Sequence, residues 1–143
     1  MDGVLRIIDA NLNRLREGLR VIEDTIRFIN DDRESTLVLK DARHTLENLV
    51  NELPGGYMAL LKSRDSAGDV GAGLNTDSEM TRRTHGEILT ANFKRAQEAA
   101  RVLEEYGKIF SVEQAVEIKK IRFLLYGLEK ELIPAHDNNT SSQ

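Results

Sequence analysis

Apolar side chains recur along the first thirty residues as Ile8, Leu12, Leu15, Leu19, Ile22, Ile26 and Ile29, in alternating steps of three and four. That spacing lays one stripe down a helix and predicts a long amphipathic helix from Val4 to about Asn30. Asn30, Asp31 and Asp32 interrupt it. A second stripe, Leu39, Ala42, Leu46, Leu49, Val50 and Leu53, runs until Pro54-Gly55-Gly56 removes a backbone donor and favours a turn. The two stripes read as a helical hairpin. After a short apolar patch at Met58 to Leu61, the pattern gives way to SRDSAGDVGAGLNTDSEMTRR, a loop with a possible helical restart near Asp77 or Ser78. Periodicity resumes from about Ile88 to Phe110 and from Val112 to Ile133, the latter opened by Ser111 with Gln114 as a capping box. Pro134 is expected to stop this last helix, leaving a single domain over 1–134 and a disordered tail over 135–143.

The helices repeat. Ala10 to Asp24 aligns without gaps to Ala91 to Glu105, with seven of fifteen positions identical, including Asn11/Asn92, Arg14/Arg95, Glu17/Glu98 and Glu23/Glu104. The following helices also match, Arg43 with Arg122 and Leu46 with Leu125 among them. Amphipathic helices share leucines and glutamates by composition alone, so the asparagine and arginine matches carry the weight. The expected fold is all-α: a four-helix bundle of two pseudo-symmetric hairpins, with one Gly/Asp-rich loop segment between them.

Composition narrows the chemistry. The 143 residues are 40% hydrophobic, 31% charged and 5% aromatic, and none is cysteine, so disulfides, thiolate metal sites and a cysteine nucleophile are excluded. The net charge of −4 is spread in mixed sign, which argues against a broad nucleic-acid surface. No apolar run has the length of a membrane span, and the charged amino terminus lacks a signal-peptide core; a cytoplasmic setting is expected. His44, His85 and His136 lack the Glu-x-x-His spacing of a di-iron bundle. His44, beside Arg43, reads as a hydrogen-bonded wall residue rather than a base.

Two groups could bind an anion. Asn11, Arg14, Glu17 and their counterparts Asn92, Arg95, Glu98 line the polar edge of the apolar stripes, where arginine's planar fork suits phosphate; surface ion pairs are the bland alternative. The loop Ser63-Arg64-Asp65-Ser66-Ala67-Gly68-Asp69-Val70-Gly71-Ala72-Gly73 combines a cation, two carboxylates, a hydroxyl and three glycines that let backbone amides approach an anion, with an ordinary connection as its alternative. No Gly-Lys-Ser/Thr follows it, so it is not a Walker A loop.

The blocks IIDANLNRLREGLRVIEDTIRF, LKDARHTL, SRDSAGDVGAG and ANFKRAQEAARVLEEYGK, in this order over roughly residues 5 to 132, resemble the all-helical domain that occurs alone or in front of thiamine-phosphate synthase. That family is understood to act as a monofunctional hydroxymethylpyrimidine phosphate kinase. Gly18, Ala99 and Ala100 stand where a bulkier apolar side chain would pack well. The resemblance implies ATP and Mg²⁺ as cofactors and a phosphorylated pyrimidine as substrate, with thiamine-phosphate synthase as a partner. It implies neither nucleic acid nor membrane, and leaves a homo-oligomer open. On this reading Arg64, Arg14 and Arg95 meet phosphates, Asp65 and Asp69 meet Mg²⁺ or the pyrimidine amine, and Asn11 and Asn92 orient the ligand. Ser63, Gly68 and Gly71 shape the cofactor loop, Glu17 and Glu98 hold the arginines, and Arg43 with His44 supports them. Because the loop occurs once, one asymmetric site per chain is expected. The alternatives are a non-catalytic scaffold for thiamine-phosphate synthase and another ATP-using bundle enzyme such as a cobalamin adenosyltransferase.

Overall fold

The computed structural model describes residues 2–74 and 81–140, with side chains as far as residue 135. Five helices account for most of it: α1 (Asp2–Phe28), α2 (Arg33–Glu52), α3 (Gly56–Ser63), α4 (His85–Gly107) and α5 (Val112–Thr140), with no strand among the described residues. The α1 stripe is buried from Ile8 to Ile26, and Leu15, Leu19 and Ile22 are wholly enclosed. Each such side chain contributes about 1.5–3 kcal/mol on burial. The break after α1 is a tight turn. Asp31 adopts φ 52°, and Asp32 caps α2 by accepting the Ser35 amide at 3.0 Å.

α1 and α4 form the central pair. Ile8 and Leu12 share a crevice with Leu103 and Gly107, whereas Gly18 lies against Ala96 and Asn92, so the two helices run antiparallel. A β-carbon on Gly18 would stand 3.3 Å from the Ala96 Cβ and 3.4 Å from the Asn92 carbonyl oxygen. The expectation of room for a bulkier side chain here is therefore corrected: Gly18, Ala99 and Ala100 are small because the helices approach closely, and all three are buried. α2 covers α1 and α5 covers α4, and Leu49, Val50, Ala115 and Ile118 close the core at one end.

Two buried carboxylates tie each cover helix to its partner. Glu23 of α1 accepts from Arg43 of α2 at 3.1 Å on both oxygens, and from Arg20 at 3.0 Å. Glu104 of α4 accepts from Arg122 of α5 through Nε and, at 3.0 Å, through Nη2. These are matched positions in the sequence repeat. Because α1 and α4 are antiparallel, the two pairs sit at opposite ends of the molecule. The matched amides also behave alike: Asn11 donates to the Ile7 carbonyl at 2.9 Å and Asn92 to that of Ile88 at 2.8 Å.

Several expectations are corrected. Among the described residues there are five helices, not four, because the apolar patch at Met58–Leu61 forms α3 and inserts Leu60, 2% exposed, into the core beside α1 and α2. Gly55 and Gly56, at φ 77° and 55°, reverse the chain into it. α4 starts at His85, three residues early, because Thr84 caps it: its hydroxyl accepts the Glu87 amide at 3.1 Å, and Glu87 reaches back to the Arg83 amide. Ser111 caps α5 as expected, but the Gln114 side chain donates to Glu52 instead of completing a box. α5 continues through Pro134 to Thr140, where Pro134 was expected to end it. Proline removes one backbone donor from the last turns without forcing the chain out of helical φ. The expected restart near Asp77 or Ser78 lies outside the described residues.

Candidate functional site

The loop after α3 is tied to α1. Packing of α3 on α1 delivers Arg64, its C-cap, to the buried carboxylate of Asp9, which is 6% exposed. Nε and Nη2 of Arg64 donate to the two Asp9 oxygens at 2.9 Å each, a parallel fork. The hydrogen bonds and charge of Asp9 raise the Arg64 pKa further above its already high range, so the cation is permanent. Beyond it the loop folds on its own aspartates. Asp65 Oδ1 accepts the Gly68 amide at 2.9 Å and Asp69 Oδ1 accepts the Gly71 amide at 2.9 Å. A β-carbon at Gly68 would fall 2.3 Å from Asp65 Oδ2, so a larger residue there would push the Asp65 carboxylate aside.

This anchoring creates two adjoining cavities. The first, about 440 Å³, lies between the start of α1 and the loop, and is lined by Arg6, Asn13, Arg14, Arg64, Asp65 and Asp69. The second, about 700 Å³, lies between α1, α4 and the loop, and is lined by Arg14, Asp69, Arg82, Lys94, Arg95 and Glu98. Asn11, Arg14 and Asp69 belong to both. Their electrostatics differ. Three arginines face three aspartates in the first, counting Asp9, whereas the second brings together Arg14 and Arg95 of the two central helices with Asp69 and Glu98, and its Lys94 is held by Glu129 at 3.2 Å.

The expected site residues separate into two groups. Arg14, Arg95, Asn11, Glu98, Arg64, Asp65, Asp69 and Gly71 meet around these cavities. Arg14 Nη1 donates to Asn11 Oδ1 at 3.3 Å, which steadies it at the common wall. Ser63, whose hydroxyl donates to the Leu60 carbonyl at 2.6 Å, ends α3 instead of lining a cavity, and Asn92 is likewise spent on its own helix. Arg43 is bound to Glu23, away from the loop. His44, expected as a hydrogen-bonded wall, is exposed and lies 3.7 Å from Glu47, because one residue along a helix turns the side chain by about 100°. Among the described residues neither Glu17 nor Glu98 is ion-paired to an arginine. The buried carboxylates that do clamp arginines, among the described residues, are Asp9, Glu23 and Glu104.

Sequence reasoning missed Asp9, Arg6, Asn13, Arg82 and Lys94. Asp9 had left a signal: a carboxylate beside Ile8 on the buried side of α1, with Thr90 at the matched position of the repeat. Among the described residues no group of three or more His, Asp or Glu side chains is placed to hold a metal ion unaided. Asp65 and Asp69 fit a weaker demand. Each spends Oδ1 on a loop amide, and Mg²⁺ is ordinarily held by one or two carboxylates, with phosphate oxygens and water completing its shell.

Comparison with known proteins points in one direction. The chain is 43% identical over 129 residues to the thiamine-phosphate synthase of Rhodopirellula baltica, covering 90% of this chain and 34% of that protein. It is 43% identical over 127 residues to that of Thermosynechococcus vestitus (89% and 34%) and 42% over 126 residues to that of Synechococcus sp. strain CC9605 (88% and 34%). The chain thus spans about a third of the length of these curated relatives. No solved structure matches it. A family model described as the ThiD2 family matches residues 6–131, from the first turns of α1 to near the end of the packed part of α5, and the chain belongs to that family.

Proposed function

We propose that the chain catalyses ATP-dependent phosphorylation of 4-amino-5-hydroxymethyl-2-methylpyrimidine phosphate to the diphosphate, a step of thiamine biosynthesis. The observation that carries this reading is the convergence of Arg14, Arg95 and the 64–74 loop on adjoining cavities of about 440 and 700 Å³, a size range that suits small phosphorylated ligands. The relatives named thiamine-phosphate synthase support the pathway. The matched Glu23–Arg43 and Glu104–Arg122 pairs support reading the four long helices as a pseudo-symmetric bundle to which α3 is added. Dependence on ATP favours a cytoplasmic setting.

The transfer asks for alignment and charge neutralisation rather than covalent help. An oxygen of the acceptor phosphate forms the bond to the γ-phosphorus, and the bond from that phosphorus to its bridging oxygen breaks. The electron pair leaves on ADP, and no proton need be removed because the attacking oxygen is already anionic. Arg14 at the common wall and Arg95 on α4 would hold the phosphoryl oxygens. Asp65 and Asp69 would hold Mg²⁺, which when bound offsets phosphate charge. Arg64, already engaged by Asp9, would fix the loop and turn its remaining Nη1 face to the ligand.

The test is direct. Incubation with ATP, Mg²⁺ and the pyrimidine monophosphate should yield ADP and the diphosphate in equal amounts. A folded chain that forms neither above the rate without enzyme sinks the reading. A scaffold for thiamine-phosphate synthase is the second reading, favoured by the one-third coverage of relatives bearing that name. It predicts no heat of binding with either small ligand.

A further inference from the structure

The outer faces of the two cover helices are matched in the sequence repeat and unlike in chemistry. On α2 the positions Glu34, Leu37, Asp41, His44, Asn48 and Asn51 make a solvated face with one apolar side chain. The same positions of α5 are Glu113, Val116, Lys120, Phe123, Gly127 and Lys130, all exposed, and Val112 and Tyr126 stand beside them where α2 has Arg33 and Glu47. We infer that this face of α5 binds a second copy of the chain, as an antiparallel helix pair about a two-fold axis that crosses α5 between Ile121 and Arg122.

Spacing is the first argument. The six positions follow one another in steps of three and four, the seam by which one helix packs along another, and they lie off the stripe of Ile118, Ile121, Leu125 and Leu128 that α5 buries in the core. A single exposed apolar side chain is ordinary, but Val112, Val116, Phe123 and Tyr126, 41% to 67% exposed, share one face. The two rings are not required to hold Arg122 on its carboxylate. Its counterpart Arg43 grips Glu23 with His44 and Glu47 in their places. Gly127 points the same way. It sits inside a helix, where glycine is a poor former, and a β-carbon there would meet nothing within 4 Å. Nothing among the described residues asks for glycine at this position, whereas the close approach of another backbone does.

Self-complementarity names the occupant. In an antiparallel pair the seam is read against its own reverse: Glu113 meets Lys130 of the second copy, Val116 meets Gly127, and Lys120 meets Phe123, each contact occurring twice about the axis. Neither Glu113 nor Lys130 has an ion-pair partner among the described residues, so both charges are available. Val116 fills the notch that Gly127 leaves. Lys120 is already held by Glu117 at 2.9 Å, so its methylene stem rather than its charge covers the facing ring. The α2 face, read against its own reverse, sets Glu34 against Asn51 and Leu37 against Asn48, which offers neither a lysine for the carboxylate nor a notch for the leucine. No α5 residue lines either cavity, so both stay open in the pair.

Sedimentation velocity of the full chain from about 1 to 500 µM tests the pairing; one helical seam lies at the small end of stable interfaces, so a dimer is expected at about tens of micromolar. Phe123→Asp and Gly127→Glu should each weaken it by about tenfold or more, with helix content by circular dichroism kept because both positions are exposed. Glu113→Lys and Lys130→Glu should each weaken it by setting like charges together, and the chain carrying both changes should recover association to within about threefold of wild type. The chain has no cysteine, so the register is open to direct reading: mixed Val116→Cys and Gly127→Cys chains should form a disulfide with each other, and neither should cross-link alone. A wild-type chain that stays monomeric over this range overturns the proposal, whatever else the face binds, and so does a dimer that Phe123→Asp and Gly127→Glu both leave intact. A double charge swap that fails to recover, in chains that also fail to cross-link, overturns the antiparallel register and the self-complementarity with it.

Discussion

The α1–α2 half and the α4–α5 half use the same residues to hold together and each lend a matched arginine to the cavities, but only the first half adds a buried aspartate and a loop. Glu23 and Arg43 on one side, Glu104 and Arg122 on the other, form equivalent buried pairs, and Asn11 and Asn92 bond equivalent carbonyls. The halves part company at Asp9, whose counterpart is the exposed Thr90, and after the second helix of each. α2 stops before Pro54 and reverses through two glycines into α3, so that Arg64 comes back to Asp9. α5 runs straight on through Pro134. Residues that repeat carry the stability and bring Arg14 and Arg95 to the cavities, whereas Asp9 and the loop, which do not repeat, make the two ends of the site unlike. The comparison makes each half the control for the other.

The sharpest way to break it is at the buried pairs. Glu104 relies on one arginine in a close fork, with Arg101 only at 3.9 Å, whereas Glu23 has both Arg43 and a well-placed Arg20. Arg122→Met leaves a buried carboxylate without compensation and should cost about 3–5 kcal/mol, while Arg43→Met should cost about 1–3 kcal/mol because Arg20 remains. Urea denaturation midpoints measure both. Equal losses would mean that Arg20 contributes nothing to Glu23.

The next effect is at the crossing of the two halves. Gly18→Val would drive a branched side chain into the Ala96 Cβ and the Asn92 carbonyl, backbone-fixed atoms that cannot swing aside. Overpacking of this kind costs about 1–3 kcal/mol, and the melting temperature should fall accordingly. No loss would show that α1 and α4 can separate without penalty, and with them the walls of the larger cavity.

How much of this is legible in the sequence depends on distance along the chain. The long helices are legible because the three-four rhythm of Ile8 to Ile26 is a local property, and so is the stop at Asp31-Asp32. Arg14, Arg95 and the loop are legible as chemistry because the repeat and the glycines set them apart. Their partners are not. Asp9 meets Arg64 across 55 residues and Glu23 meets Arg43 across 20, and no local rhythm states which carboxylate lies under which arginine. Glu17 and Glu98 looked like the clamps because they are nearest in sequence. The burial that selects Asp9 and Glu23 instead is a property of the assembled helices. α3 was hidden for a related reason: a two-turn helix has too few apolar positions to show a period, and Leu60 acquires meaning only where α1 and α2 offer it a socket.

The Asp9/Thr90 difference gives a smaller effect, read in turnover rather than stability. Asp9→Asn keeps the shape but removes the charge that orients Arg64, so the loop loses its fork and the phosphoryl transfer proposed above should slow by about tenfold. Lys in place of Arg64 should not restore it, since an ammonium cannot match both oxygens. The mirror change, Thr90→Asp, introduces a carboxylate on an exposed turn of α4 with no loop to receive it, and both rate and stability should stay within about 0.5 kcal/mol of wild type. Steady-state ADP release measures all three. A Thr90→Asp variant as impaired as Asp9→Asn would place the site equally on both halves.

The smallest contrast lies near the ends of α1 and α4. Glu105 is held below the ordinary carboxylate range by its hydrogen bond from Lys108 at 3.2 Å, then by the charges of Lys108 and Arg101, while its counterpart Asp24 has no ion pair among the described residues. A depressed folded-state pKa means that the stabilisation is complete above the unfolded-state value, near 4.3, and is lost as pH falls through the lower folded one. Glu105 is exposed, so the effect belongs in a carboxyl NMR titration rather than a melting curve. Lys108→Gln should move the Glu105 midpoint upward, and Arg101→Gln should move it by less. The reverse order would show that the charge of Arg101, four residues before Glu105 on α4, outweighs the direct hydrogen bond from Lys108.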